Sequence, residues 1–82
     1  MNYEWTFLNR GVPDTWRKAK TEQSAFRAAM KVARRWFPEA TNKGYTRIIS
    51  TDDGGEKIDF GHYTVFIKIR KVKDEDIRNK SN

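Results

Sequence analysis

Residues 22–37, EQSAFRAAMKVARRWF, decide the fold of this 82-residue chain, because they form its one clearly amphipathic helix. Thr21 is a good N-cap, and Glu22 suits the positive end of a helix. Pro38 ends the helix, since the residue before a proline avoids helical torsions. Apolar residues recur at helical spacing and predict one buried face. That face consists of Phe26, Ala29, Met30, Ala33 and Phe37, with Trp36 at its edge as a further core residue.

Two strands are predicted before this helix. Residues 2–9, NYEWTFLN, alternate between two faces with a period of two, which is typical of a strand and puts Trp5 in the core. The turn-forming residues around Gly11 and Pro13 indicate a reversal of the chain. We therefore expect residues 15–21 to return as the second strand of a hairpin.

Two further strands are predicted after the helix. Residues 45–51, YTRIIST, are rich in β-branched side chains, and the DDGG sequence at 52–55 indicates a turn. A long strand then runs from Lys57 to about Val72, with a kink at Gly61. Its apolar face consists of Tyr63, Val65, Ile67 and Ile69.

The predicted element order is ββαββ, which indicates an α+β fold. We expect two layers, an antiparallel sheet with one helix packed on one face. The sequence predicts a single domain over residues 1–73, followed by a polar, frayed C-terminal tail at 74–82.

The composition narrows the possible functions. There is no cysteine and only one histidine, His62, which excludes thiolate chemistry and His-cluster metal sites. We therefore predict a protein that is not an enzyme and uses no cofactor or metal. The sequence has no apolar run of membrane-spanning length and no signal peptide, so we expect a cytoplasmic location and no membrane partner. The net charge of +6 favours a polyanionic partner.

Four basic residues on the predicted helix are the first candidate site. Arg27, Lys31 and Arg34 follow one another at i, i+4 and i+7, with Arg35 beside them, so they form a stripe opposite the apolar face. Within the predicted helix at 22–37, no acidic residue stands four positions away from any of them. The pattern is compatible with a phosphate-binding ridge and equally with an ordinary solvated helix face.

The last predicted strand is the second candidate site. Phe66, Lys68 and Arg70 share one face, and an aromatic ring beside cations suits single-stranded nucleic acid. The alternative is an edge strand that its lysines protect from aggregation. Arg17 and Lys18 would extend the basic track, and the neighbouring Trp16 would be either a stacking platform or a core residue.

These residues predict a small nucleic-acid-binding protein, with RNA favoured over DNA. Contacts would be mainly to phosphates, so sequence specificity would be low. Because a domain this small has a thin core, we also expect a homodimer that buries a sheet edge or the open sheet face. The alternative function is a small inhibitor or adaptor, of the antitoxin or phage counter-defence type, that binds an acidic or nucleic-acid-binding protein.

Overall fold

The computed structural model describes residues 2–72. Within these residues, six antiparallel strands form one sheet. The strands are β1 (Asn2–Asn9), β2 (Val12–Pro13), β3 (Arg17–Ala19), β4 (Arg47–Ser50), β5 (Glu56–Asp59) and β6 (Val65–Val72). The helices are α1 (Glu22–Trp36) and α2 (Pro38–Thr41). The predicted α+β class, with an antiparallel sheet and a helix packed on it, is confirmed. The predicted tail at 74–82 lies outside the described residues.

Strands β1 and β6 form the centre of the sheet, although they come from opposite ends of the described chain. The whole of β1 pairs with β6, from Asn2 opposite Val72 to Asn9 opposite Val65. The strand order is β2-β1-β6-β5-β4, and β3 also pairs with β1. Strand β4 is therefore one edge of the sheet, whereas the short strands β2 and β3 share the other.

Helix α1 begins at the predicted residue, Glu22, and ends at Trp36, one residue before the predicted end. The Thr21 side chain accepts a hydrogen bond from the Ser24 N–H, and the Ser24 hydroxyl accepts one from the Thr21 N–H, which completes a capping box. At the other end the Phe37 N–H donates to the Ala33 carbonyl, and Pro38 follows. No helix within residues 2–72 is long and apolar enough to cross a membrane.

The core lies between α1 and one face of the sheet, and the sheet with its loops supplies the large side chains. These are Trp5, Phe7, Ile58, Phe60, Val65, Ile67 and Ile69. Helix α1 contributes mainly small residues, namely Ala25, Ala29, Met30 and Ala33. The alanines allow the helix backbone to lie close to the aromatic rings of the sheet. Phe26 and Phe37, which the helical spacing places in the core, are only partly buried against it.

The predicted order ββαββ is wrong, and the first reason lies in the second strand. In place of one strand over residues 15–21 there are two short strands, β2 and β3. Pro13 has no N–H to donate to a ladder, and the Asp14 N–H donates to the Phe7 carbonyl instead. The returning chain therefore pairs with β1 in two separate pieces.

The second reason is that the long strand predicted from Lys57 to Val72 is a hairpin made of β5 and β6. Gly61 has a φ of +101°, which favours glycine, and its N–H donates to the Asp59 carboxylate. The Nδ1 atom of His62 accepts hydrogen bonds from the N–H groups of Thr64 and Val65. These local bonds reverse the chain where a kink was predicted, and Tyr63 is 90% exposed, outside the core.

The third difference is α2, which occupies part of the predicted loop at 38–44. Pro38 stands at its first turn, where the missing N–H costs nothing. Ala40 is buried and covers the end of the core next to Phe37. The observed order is therefore βββααβββ, richer in strands than the prediction.

Candidate nucleic-acid interface

The four predicted cations of α1 all lie on its outer face. Arg27, Lys31, Arg34 and Arg35, here called the basic stripe, are exposed. Within residues 2–72, none of the four forms an ion pair. The stripe is therefore a row of positive charges that is available to an external anion.

The predicted cations of β6 lie on the opposite side of the domain, on the sheet face that α1 does not cover, here called the open sheet face. Arg70 donates from Nε and from a terminal nitrogen to Glu4 Oε1, at 3.1 and 2.9 Å. The Arg70 guanidinium also lies 3.7 Å from the centre of the Trp16 ring. Both features hold Arg70 within the fold.

Lys68 on the open sheet face is compensated in the same way. Its Nζ atom donates to Asp53 at 2.9 Å and to the Thr51 hydroxyl at 2.7 Å. Hydrogen bonds from Thr51 and Lys68 hold the pKa of the Asp53 carboxyl well below its usual range. Gly55 makes this arrangement possible, because a Cβ at that position would collide with the Ile69 carbonyl of β6.

Phe66, the third predicted residue of this face, is also covered. The Lys57 ammonium lies 4.4 Å from the centre of the Phe66 ring, and Phe66 is half-buried. A base that stacked on this ring would have to displace a cation already in contact with it.

Arg17 and Lys18 point to opposite sides of β3. Arg17 pairs with Trp5 on the helix side, and its guanidinium lies 5.2 Å from the Trp5 ring and 5.6 Å from the Trp36 ring. Lys18 pairs with Glu4 on the open sheet face. The nine predicted residues therefore form two groups that the sheet separates. Arg17 and the basic stripe lie on the helix side, whereas Lys18, Phe66, Lys68 and Arg70 lie on the other.

A groove of about 790 Å³ opens beside the C-terminal end of α1. Its lining is mainly apolar and includes one cation and one carboxylate. The lining residues are Phe7, Asn9, Arg10, Val12, Pro13, Asp14, Trp36, Phe37, Thr64 and Val65. Trp36 is 49% exposed and Val12 67%, so both present apolar surface to whatever enters the groove.

Trp36 is a candidate site residue that sequence reasoning missed, because its helical position placed it in the core. Its ring packs against Phe7 with the centroids 5.6 Å apart, and the Arg17 guanidinium lies 5.6 Å from its centre. About half of the residue stays exposed. Val12 and Pro13 of the two-residue strand β2 line the same groove as Trp36. The available signal was its position as the last residue of α1, directly after Arg34 and Arg35.

The N-terminal end of α1 carries a carboxylate pair in place of cations. Glu22 lies in the first turn of α1, and Glu56 begins β5. A hydrogen bond shared with Glu22, together with partial burial and the charge of Glu22, raises the pKa of Glu56 to about 7. The first turn of α1 therefore lies next to acidic groups, whereas its last turn carries Arg34 and Arg35.

Within the described residues, the one histidine stabilises a turn and the acidic residues form no metal-binding cluster. His62, the one histidine, uses Nδ1 to hold its own turn, and its ring packs against Phe37 at 5.1 Å. Between residues 2 and 72, no three His, Asp or Glu side chains converge in a way that could hold a metal ion. Comparison with protein families, with characterised proteins and with solved structures finds no match to this chain.

Proposed function

We propose that this protein binds nucleic acid without catalysing a reaction, mainly through phosphates and with low sequence specificity. The observation that carries the proposal is the basic stripe, four exposed cations on one helix face with no ion-pair partner among residues 2–72. Cations that stabilise the fold, such as Lys68 and Arg70, have partners. Phosphates would supply the missing anions on the helix side.

RNA, in single-stranded form, is the favoured ligand because of the groove beside the stripe. Arg34 and Arg35 directly precede Trp36, so a strand whose phosphates contact the stripe can reach the tryptophan with a base. An unpaired base offers a flat ring that can stack on the open surface of Trp36, whereas a paired base is held inside its duplex. All three candidate rings have a cation nearby, but Arg17 is 5.6 Å from Trp36, whereas Lys57 is 4.4 Å from Phe66 and Arg70 is 3.7 Å from Trp16. Trp36 is also the most exposed of the three, so it replaces Phe66 and Trp16 as the platform.

Salt dependence and charge reversal test the phosphate contacts. Four or five contacts predict a slope of about −3 in a log–log plot of affinity for single-stranded RNA against salt. Reversing Arg27, Lys31 and Arg34 to glutamate should abolish binding and leave the circular dichroism spectrum unchanged, because these side chains point away from the core.

The matched control reverses three exposed lysines outside the stripe, Lys20, Lys43 and Lys71. It lowers the net charge by the same amount, and we expect it to weaken binding far less. Equal losses in the two variants would show that the attraction is diffuse. No binding of wild-type protein at low salt would contradict the proposal.

Two tryptophan variants test the stacking step. Stacking contributes about 1–3 kcal/mol per base, so Trp36→Ala should weaken single-strand affinity by about 5- to 150-fold and change affinity for a duplex of equal length little. Trp36→Phe should retain part of the effect and controls for lost packing against Phe7. Trp16→Ala, on the open sheet face, should bind as the wild type does. A similar loss for Trp16→Ala would show that the RNA binds the open sheet face and would contradict binding on the helix side.

The groove also supports the second candidate, a small inhibitor or adaptor that binds another protein. Half-exposed Trp36 and exposed Val12 resemble the aromatic and apolar centre of a protein interface. Arg10 lines the groove and Arg17 lies near the Trp36 ring, so both could contact an acidic partner. Purification at low and then at high salt separates the two functions. Nucleic acid that copurifies and is removed by salt supports the first, and its absence favours the second.

A further inference from the structure

The outer edge of β4 is an unpartnered strand. Strand β4 pairs only with β5, and all four of its residues are exposed. Ile48 is 51% and Ile49 38% exposed, on the two opposite faces of the strand. The other edge of the sheet is divided into two short strands and contains Pro13, which are the usual protections against strand addition. Residues 45–51, YTRIIST, contain neither proline nor lysine.

The hydrogen-bond pattern shows which backbone groups are free. The Thr51 N–H donates to the Gly55 carbonyl at 3.0 Å, at the turn end of the β4–β5 ladder. Arg47 stands opposite Asp59, and Ile49 stands opposite Lys57. In an antiparallel pair, residues whose N–H and C=O groups point toward the partner strand alternate with residues whose groups point away. Since Thr51 bonds to Gly55, the backbone groups of Arg47 and Ile49 point toward β5. The N–H and C=O groups of Ile48 and Ser50 therefore point away from the sheet.

We propose that this edge binds the same edge of a second copy of the chain, in antiparallel orientation and centred on Ile49. The charges along the β4 edge favour a second copy of this chain as its partner. Arg47 lies at one end of the strand, and Asp52 and Asp53 lie just beyond the other. Antiparallel pairing brings Arg47 of each copy opposite Thr51 of the other, next to these carboxylates. Asp53 keeps about half of its side chain exposed despite its bond to Lys68, so it can accept a second partner.

The pairing has consequences for the shape of the dimer. A two-fold axis through the Ile49 pair is perpendicular to the sheet, so the two sheets become one and both α1 helices lie on the same side. One short strand buries less than a standard interface, and the two positively charged copies repel each other. We therefore expect a weak dimer that forms with increasing protein concentration. The inference does not depend on nucleic-acid binding.

Sedimentation equilibrium on the full chain tests the edge with a proline substitution. Ser50→Pro removes an N–H that points away from β5, so the monomer should keep its fold, checked by circular dichroism. The dimer loses two hydrogen bonds, one from each copy, and association should weaken about tenfold or more. Ser50→Ala keeps the N–H and should associate as the wild type does.

Charge complementation tests the register and the identity of the partner, and it does not depend on the proline variant folding. In the proposed dimer the two Ile49 side chains face each other. Ile49→Asp and Ile49→Lys should each be monomeric, because like charges then meet at the axis. An equimolar mixture of the two variants should recover dimers, because opposite charges meet.

Three results would overturn the proposal. A wild-type protein that stays monomeric up to several hundred micromolar excludes the dimer. A folded Ser50→Pro variant that associates as tightly as Ser50→Ala excludes this edge and favours the open sheet face. Failure of the mixed Ile49 variants to associate excludes the register centred on Ile49.

Discussion

The outer face of α1 and the open sheet face both carry cations, but two of the cations on the sheet face, Lys68 and Arg70, are held in ion pairs. On the sheet face Arg70 contacts Glu4, and Lys68 contacts Asp53. On the helix face the basic stripe has no ion-pair partner among residues 2–72. A count of basic residues therefore does not show which of them are available to a ligand.

The distance along the chain to the compensating acid explains the difference. Glu4 lies 66 positions from Arg70, and Asp53 lies 15 positions from Lys68. Both acids reach the sheet face through strand pairing or a hairpin turn. A helix brings together only residues three or four positions apart, and α1 offers no acid at that spacing. We infer that Lys68 and Arg70 stabilise the fold, whereas the proposed binding function depends on the helix-face cations.

The largest expected effect concerns the core that both faces share. Phe60 is fully buried, so Phe60→Ala should lower the free energy of unfolding by about 3–5 kcal/mol and disrupt both faces together. Phe26→Ala should cost clearly less, because Phe26 is only partly buried. Chemical denaturation measures both values. Equal losses would mean that α1 packs more deeply than the structure shows.

Replacing one arginine on each face separates stability from binding. Arg70→Met breaks two charge-assisted hydrogen bonds and the contact with Trp16, so it should destabilise the fold by about 1–3 kcal/mol. Arg34→Met should change stability by less than about 0.5 kcal/mol, because its side chain is exposed. Thermal melts and RNA titrations should rank the two variants in opposite orders. The same ranking in both measurements would remove the distinction between the faces.

Glu56 and Asp53 should make the free energy of unfolding depend on pH with opposite signs. Glu56 has a raised pKa in the folded state, so its contribution is present at low pH and is lost as the pH rises through about 7. Glu56→Gln should therefore gain stability over the wild type at about pH 9, by about 1 kcal/mol after solvent screening, with little gain at about pH 4.

Asp53, on the sheet side, should behave in the opposite way. Its pKa is lowered in the folded state, so its contribution is present near neutral pH and is lost as the pH falls through the acidic range. Asp53→Asn should lose stability near neutral pH and approach the wild type in acid. Thermal melts of both variants across the pH range test this, and two curves of the same sign would contradict it.

The smallest effect is a change in salt dependence. Lys31→Ala removes one contact from the basic stripe, so the magnitude of the log–log slope should fall by about 0.7. Lys57→Ala on the open sheet face should leave the slope unchanged, since Lys57 lies against Phe66. Equal slopes of affinity against salt for the two variants would show that the RNA does not bind along the outer face of α1.

Several features follow from the sequence alone, because they depend on near neighbours. The Thr21 cap, the end of α1 before Pro38 and the outward position of the basic stripe come from local spacing, as does the alternation that buries Trp5 and Phe7 in β1. The absence of cysteine and the single histidine narrow the possible chemistry without any structure. The α+β class follows from the same local patterns.

Tertiary structure alone decided the rest, since the deciding contacts join residues that are distant in the sequence. Alternation could not separate a kinked strand from the β5–β6 hairpin, because the two differ in whether Glu56–Ile58 pairs with Ile67–Ile69 across the turn. Trp36 packs against Phe7 of β1 and is still half exposed, which the helical spacing does not show. Arg70 is bound by Glu4, and the edge of β4 stays open, because of the strand order. No local pattern encodes which acid meets which cation or which strand lies last.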